Sequence, residues 1–272
     1  DHRDLHVRSR RQRQMCIRDS LNLGLLNTRT TKIDLGLNAT YNKNTVTGLT
    51  FVADTSSLGI QVGGISGGIG NTAQIHSVGY PTFTYFFYES TYDDNGNPIE
   101  DQFTDQNNDS VINIDDRVRS KNPNPNWFLG ANLNASYKNW YVGTSMRAEL
   151  GAHIYNNLAS NYGNIQAGSN TFNSQNIHSS FLETNFLENS NEQLLSDYFL
   201  EKANFLRMDY FTLGYNFGNK LSDKFSLNAA ITVNNVFVLT QYTGMDPEVV
   251  GGIDNTIYPR PRIYSLNLTF DF

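Results

Sequence analysis

Long apolar runs are absent from the sequence. No stretch approaches the ~18 consecutive apolar residues of a membrane-spanning helix, and mean hydropathy is −0.45, which excludes a helical membrane protein. Charge is scarce as well, at 17% of 272 residues, and proline occurs only seven times. Cysteine occurs once, as Cys16, inside a segment unlike the rest, so the remainder has no disulfide or thiol chemistry. What the chain does have is 15 Tyr, 17 Phe and 21 Gly, with many Asn. Low charge with Tyr, Phe, Asn and Gly suits strands that are wet on one side and apolar on the other. That leaves a soluble β protein or a membrane barrel, whose alternating strands keep average hydropathy low.

Asp1 to Ser20 stands apart. It holds six of the 20 Lys and Arg residues. Against Asp1, Asp4 and Asp19 its charge is +3, leaving −9 for the rest of a chain whose net charge is −6. A basic arm suits a nucleic-acid tail, but RSRRQRQMCIRDS resembles a translated sequencing adapter. Residues 1–20 are therefore set aside as an artefact or disordered arm, and the natural protein is expected to extend upstream of residue 21. Without the arm the chain is too acidic for nucleic acid.

From residue 21 onward strict alternation dominates. Ile33, Leu35, Leu37, Ala39 and Tyr41 alternate with polar or small residues. So do Trp127, Leu129, Ala131, Leu133, Ala135 and Tyr137 (Phe128 excepted), and Trp140, Val142, Thr144, Met146, Ala148 and Leu150. Phe225 to Val233 and Tyr264 to Phe272 behave alike. Side chains on a strand alternate faces, so each segment has one apolar and one polar face. The pattern predicts nine strands, near 21–26, 32–43, 58–65, 74–88, 126–138, 140–152, 204–218, 223–237 and 260–272. Gly63 to Gly70 and Pro81 weaken the third and fourth. In 204–218, Arg207 and Asp209 share the parity of apolar Phe211, Leu213, Tyr215 and Phe217. Either they lie above the bilayer or a bulge switches faces there.

Connections sort by length. Residues 27–31, Lys138-Asn139 and Gly218 to Ser222 are short turns, while 44–57, 89–125, 153–203 and 238–259 are long polar excursions. Short turns at one end and long loops at the other are the outer-membrane pattern, with the long loops extracellular and the turns periplasmic. Trp127 and Tyr137 share a parity and lie about 23 Å apart along the normal of a strand tilted ~45°. An apolar band ~25 Å tall with an aromatic girdle at each rim fits that spacing, Trp127 marking one rim and Tyr137 with Trp140 the other.

Several stretches carry a resemblance: NPNPNWFLGANLNASYKNW at 122–140, FLRMDYFTLGYNF at 205–217, NNVFVLTQYTGMDPEV at 234–249 and YPRPRIYSLNLTFDF at 258–272. The run Thr240, Tyr242, Gly244, Asp246, Pro247 and Glu248 is the most specific. In this order they resemble the C-terminal region of SusC/RagA-like TonB-linked outer-membrane proteins. The resemblance covers residues 21–272, with no counterpart of the family's plug or TonB-contacting box. It implies an antiparallel transmembrane barrel fragment of a larger, ~22-stranded plugged barrel, hence an open, strongly curved sheet or a forced small barrel with a poor seam between its first and last strands. It also implies a TonB-dependent importer of oligosaccharide or peptide, with a SusD-like surface lipoprotein as lid and the TonB complex acting through the plug. Terminal Phe272 resembles the signal read by the barrel-insertion machinery. Two other classes stay open: a small stand-alone porin or adhesion barrel, and a soluble β enzyme such as a glycan hydrolase. The hydrolase needs a converging carboxylate pair that spacing does not place.

One constellation has metal-ligand spacing. In DQNNDSVINIDD, Asp105, Asn107 and Asp109 stand at loop positions 1, 3 and 5, the Val111 carbonyl at 7, Asn113 at 9 and Asp116 at 12. Ca²⁺ takes six to eight oxygens on a sharply turning loop. Ser110 replaces the turn glycine and Asp116 the bidentate glutamate, as in dockerin-type loops. The segment is an extracellular Ca²⁺ site or a solvated acidic loop. No other cofactor is expected. Gly64-Ile65-Ser66-Gly67-Gly68 matches the nucleophile-elbow pattern but lies in a glycine tract within β sequence, so it reads as a flexible turn. His2, His6, His76, His153 and His178 show no ligand spacing. Arg147 and Glu149, on a polar face, read as a structural ion pair inside the wall rather than substrate contacts.

Overall fold

A computed structural model describes residues 11–50, 58–68, 70–168, 176–188, 190–220, 224–255 and 258–272, with backbone alone for 11–17. The strands run, in chain order, β1 (Arg11–Asn27), β2 (Thr31–Gly48), β3 (Ile60–Gly64), β4 (Thr72–His76), β5 (Thr84–Phe87), β6 (Ser90–Tyr92), β7 (Pro98–Phe103) and β8 (Val118–Ser120). They continue as β9 (Trp127–Tyr137), β10 (Trp140–Leu150), β11 (His153–Tyr155), β12 (Leu200–Lys202), β13 (Phe205–Gly218), β14 (Ser226–Thr240) and β15 (Ile263–Asp271). Seven of them form one antiparallel sheet in the order β1-β2-β9-β10-β13-β14-β15. Each wall strand neighbours the next wall strand in sequence, and β1 and β15 do not pair with each other. The sheet is open.

Cross-strand register explains why this wall forms. Directly opposed residues of antiparallel strands share a face, and the apolar parities line up strand after strand. Leu35 faces Leu133, Leu133 faces Thr144, Thr144 faces Phe211, Phe211 faces Val233 and Val233 faces Tyr264. One row along, Leu37, Ala131 and Met146 are in line, and Leu21 joins them from β1. The other face carries Lys32, Asp34, Asn132, Asn134, Tyr141, Thr212, Thr232 and Asn267 at the intervening positions. Among the described residues no layer covers the apolar face. Trp140, Ile231 and Leu266 are 49%, 56% and 68% exposed, and the buried hydrophobic clusters contain no apolar-face residue of the wall. Rims are aromatic: Tyr41 packs on Trp127 at 5.0 Å at one end, and Trp140 on Tyr215 at 4.8 Å at the other. On the polar face Tyr141 lies across Gly214 and donates to Asn228 at 2.8 Å, so a Cβ at position 214 would run into its ring.

Seven wall strands, not nine, is the first correction. The segments 58–65 and 74–88 do not enter the wall. They supply β3, β4 and β5 to a separate sheet of order β3-β4-β5-β8. Strands of four or five residues are too short for a ~25 Å band. All four residues of β5, Thr84 to Phe87, are buried, so it has no face to offer lipid. The second correction concerns the long connections, read as polar excursions. The described residues of 58–125, 152–203 and 241–255 build a folded cap at the long-connection end, with short helices α1 (Asn157–Tyr162), α2 (Ile165–Gly168), α3 (Phe181–Thr184) and α4 (Asn191–Leu194). Tyr85, Phe87, Tyr88, Tyr155, Phe186 and Phe199 are the aromatic part of its core.

Boundaries move too. β2 continues to Gly48 because Val46 exchanges backbone hydrogen bonds with Gly79 and Tyr80 of the cap. β14 runs to Thr240 rather than 237. β1 begins at Arg11 rather than 21, its backbone pairing with β2 out to Gly48. Residues 51–57 of the first long connection and 221–223 of the last short turn lie outside the described residues. The other two short turns stand as read: Thr28 N–H donates to Thr31, and Lys138 takes φ 54° between β9 and β10.

Candidate functional site

A bulge builds the site. Between the pairs Ser145–Tyr210 and Met146–Met208, β13 carries one residue more than β10, and that residue is Asp209. The step reverses the parity of β13, so Leu206 and Met208 join the apolar face while Arg207 turns to the polar one, opposite Arg147. A matching irregularity in β14 sets Asn235 and Val236 against Asp209, with Asn235 at φ 52°. Two facing arginines repel, and the connection after β14 supplies the anions. Arg207 Nη2 donates to Asp246 Oδ1 at 2.7 Å and Nη1 to Asn235 Oδ1 at 2.8 Å, with Nε 2.9 Å from Glu248 Oε2 in an ion pair not aligned as a hydrogen bond. Arg147 grips Glu248 with both terminal nitrogens, Nη2 at 2.8 Å from Oε2, and Nε donates to Asp209 at 2.9 Å. Arg260 closes the cluster, Nη1 at 2.6 Å from Glu248 Oε2. Arg207 is 2% exposed and Asp246 4%. Desolvation makes such a cluster costly unless every charge is countered, and here each is.

The family motif thus acquires a physical account residue by residue. Thr240 Oγ1 donates to the Asn204 carbonyl at 2.9 Å and accepts from Tyr242 N–H. Tyr242 donates to Asp254 Oδ2 at 2.6 Å. Burial, and then the Asp254 carboxylate, push its phenol well above the usual tyrosine range, so it stays a donor. The same ring lies over Gly244, where a Cβ has no room. Asp246 binds Arg207 and accepts from Glu248 N–H at 2.9 Å, and Pro247 sits between the two acids. Glu149, read with Arg147 as a pair, is 3.6 Å from it, farther than Glu248 or Asp209. The missed partners, Asp209, Asn235 and Arg260, carried one signal in the sequence, the parity conflict at Arg207 and Asp209.

The 105–116 loop folds on itself. Asp105 accepts from the N–H of Asn108, Asp109 and Ser110, Asn107 and Asp109 bond each other, and Asp109 accepts from Val111 N–H. Asn113 and Asp116 form a capping box around Ile114–Asp116, and hydrogen bonds from Asn113 and Gln106 N–H hold Asp116 below the usual carboxylate range. Ser110, at the turn-glycine position, takes φ 67°. Among the described residues no three His, Cys, Asp or Glu side chains converge as a metal group. Calorimetry decides between the two readings of this loop. A calcium heat lost in Asp105→Ala/Asp109→Ala is the result expected of a calcium site, and identical heats leave a loop held by its own turns.

The other singled-out residues scatter. His76 accepts from Phe83 N–H, His178 bonds Ser180, and burial near Lys121 pushes His153 down to about 4. His2 and His6 lie outside the described residues. Ser66 of the glycine-tract turn has its N–H bonded to Asn157, at 2.6 Å. Phe272 follows β15, 98% exposed, its ring 6.2 Å from Phe225. On the wall's polar face, Lys32, Asp34, Asn134, Tyr141, Tyr210 and Thr212 line a groove of about 400 Å³.

No family model matches the chain, but individual relatives do. It is 36% identical over 245 residues to "TonB-dependent receptor SusC" of Bacteroides thetaiotaomicron, covering 88% of this chain and 24% of that protein. It is 22% identical over 204 residues to "TonB-dependent receptor P3" of Formosa agariphila, covering 67% and 20%. The chain thus spans about a quarter of the length of the curated relatives it matches. Among solved structures, the RagAB peptide transporter matches with a TM-score of 0.73 at 21% identity, over 96% of this chain and 29% of that one. The RagAB importer in its open-open state matches at 0.74. An uncovered apolar face, aromatic rims, the arginine-held Asp-Pro-Glu turn and these relatives agree: the chain is a barrel-wall segment that belongs to the SusC/RagA-like family of TonB-dependent receptors.

Proposed function

We propose that this segment is part of the wall and outer cap of an outer-membrane importer that takes up oligosaccharide or peptide and is driven through TonB. The observation that carries the reading is the continuous apolar face across seven strands, bare of any covering layer among the described residues and backed by a polar face. In water such a face is an aggregation surface; in a bilayer it is the lipid contact. The short turns then face the periplasm and the cap faces outward, where a SusD-like lipoprotein would meet it. TonB would act through a plug domain, and the insertion machinery would read Phe272. The relatives' names are those of receptors and transporters rather than enzymes.

Energy dependence tests the proposal against a passive porin. Cells carrying the full-length receptor are incubated with labelled oligosaccharide and peptide mixtures, with and without a protonophore. Uptake that collapses with the protonophore is expected. Uptake that continues unchanged would mark a diffusive pore.

A further inference from the structure

The connection from β14 to β15 touches two bodies at once. On one side Asp246 and Glu248 are bound to the wall through Arg207 and Arg147. On the other side the same stretch is tied into the cap. Thr243 is bonded through its N–H and hydroxyl to the Glu201 carboxylate at 2.7 and 2.8 Å, beside Asn156. The Gly252 carbonyl accepts from buried Tyr85 at 2.7 Å, and Tyr85 also donates to the His153 carbonyl at 2.9 Å. Gly252, at φ 77°, has no space for a Cβ between Pro123 and Tyr85. Asp254 N–H donates to the Tyr155 carbonyl at 2.9 Å, and Leu158 N–H to the Asp254 carbonyl. All three long connections therefore meet at residues 242–254.

From this we infer that residues 242–254 form a strap that fixes the cap to the polar face of the wall, so that cap and wall move as one body. Its wall anchor is electrostatic and polar, made by Asp246 and Glu248 with Arg207 and Arg147. Its cap anchor is a set of hydrogen bonds, buried at Tyr85–Gly252 and exposed at Thr243–Glu201, with Tyr242 and Val249 packed on Ala152, Ile154 and Ala203. The cap core is shared, and among the described residues the cap meets the wall at two places: a neutral backbone and side-chain tie at β2, where Val46 bonds Gly79 and Tyr80 and Asn44 accepts from Thr82, and the charged tie of the strap. Neutralising the charged tie leaves the cap hinged on its β2 tie, free to swing as a unit because its core does not depend on the arginines. The inference holds whatever the receptor imports.

The test uses full-length receptor freed of any other reactive cysteine, with spin labels at Leu182 on the exposed face of the cap and at Lys138 in the wall turn. Wild-type protein is expected to give one narrow distance distribution. Asp246→Asn/Glu248→Gln is expected to widen it about twofold or more, as a hinge motion does, while heat-modifiable gel migration shows the barrel still folded. Tyr85→Phe, which removes the hydroxyl bound to the Gly252 carbonyl and leaves the arginines paired, is expected to widen it less. It carries the test alone if the double variant fails to insert. Narrow, unshifted distributions in the folded variants would overturn the strap.

Discussion

Arg207→Ala is expected to cost about 3–5 kcal/mol, the range for removing one partner of a buried ion pair. Arg207 is 2% exposed and meets Asp246, Glu248 and Asn235 at once. Truncation strands a 4%-exposed aspartate beside Glu248, with the partly exposed Arg260 3.4 Å from its other oxygen. Lys32→Ala is the control. Lys32 and Asp34 are 3.0 Å apart, but both side chains are about half exposed, so their pair is worth about 0–1 kcal/mol. Arg207→Lys falls between, because an ammonium keeps the charge but cannot make the forked contacts to three partners. Chemical denaturation of full-length receptor in detergent reads all three. If Arg207→Ala unfolds at the same denaturant concentration as Lys32→Ala, the cluster is not what holds the Asp-Pro-Glu turn.

The wall was legible in the sequence because its signal is local and repeated. A period of two over eleven residues, as from Trp127 to Tyr137, names both faces of a strand before any partner is known. Short turns such as Lys138-Asn139 then dictate antiparallel neighbours. The cap was not legible, and the reason is physical. Tyr85, Phe87, Tyr155 and Phe199 meet in one core, yet they sit on strands and turns of three to five residues, too short for a period to show. Their partners lie far away in the chain, as Tyr85 and Gly252 do at 167 positions apart. Glycine and Asn-rich stretches that look like solvated loop are needed there for tight turns and for buried hydrogen bonds, such as those of Asn156 and Asn157. The functional cluster was half legible. Alternation put Arg147 on the polar face and exposed the conflict at Arg207, but only the bulge at Asp209 makes the two arginines neighbours. The Asp-Pro-Glu run was visible as a motif with nothing to say what it binds.

Leu133→Arg is expected to cost about 2–4 kcal/mol, and Asn134→Arg, one residue along, far less. The pair tests the two faces at one depth. Leu133 lies on central strand β9 between Leu35 and Thr144 on the apolar side, roughly 9 and 14 Å from the rims marked by Tyr137 and Trp127. That places it near the bilayer midplane, where an arginine on the lipid face carries its largest penalty. Asn134 points to the polar face beside Lys32 and Asp34, where a cation meets water and a carboxylate. Since about 1.4 kcal/mol is tenfold, Leu133→Arg should lower the folded-to-unfolded ratio by roughly 30- to 1,000-fold. A soluble sandwich would also reject arginine in its core, so the third variant is Leu133→Phe. Inside a packed core the larger ring costs about 1–3 kcal/mol through overpacking. Against fluid acyl chains it has room and adds apolar area. Wild-type or better stability for Leu133→Phe in lipid, together with collapse of Leu133→Arg, is the membrane result. A Leu133→Phe variant as damaged as Leu133→Arg would place a second protein layer over this face.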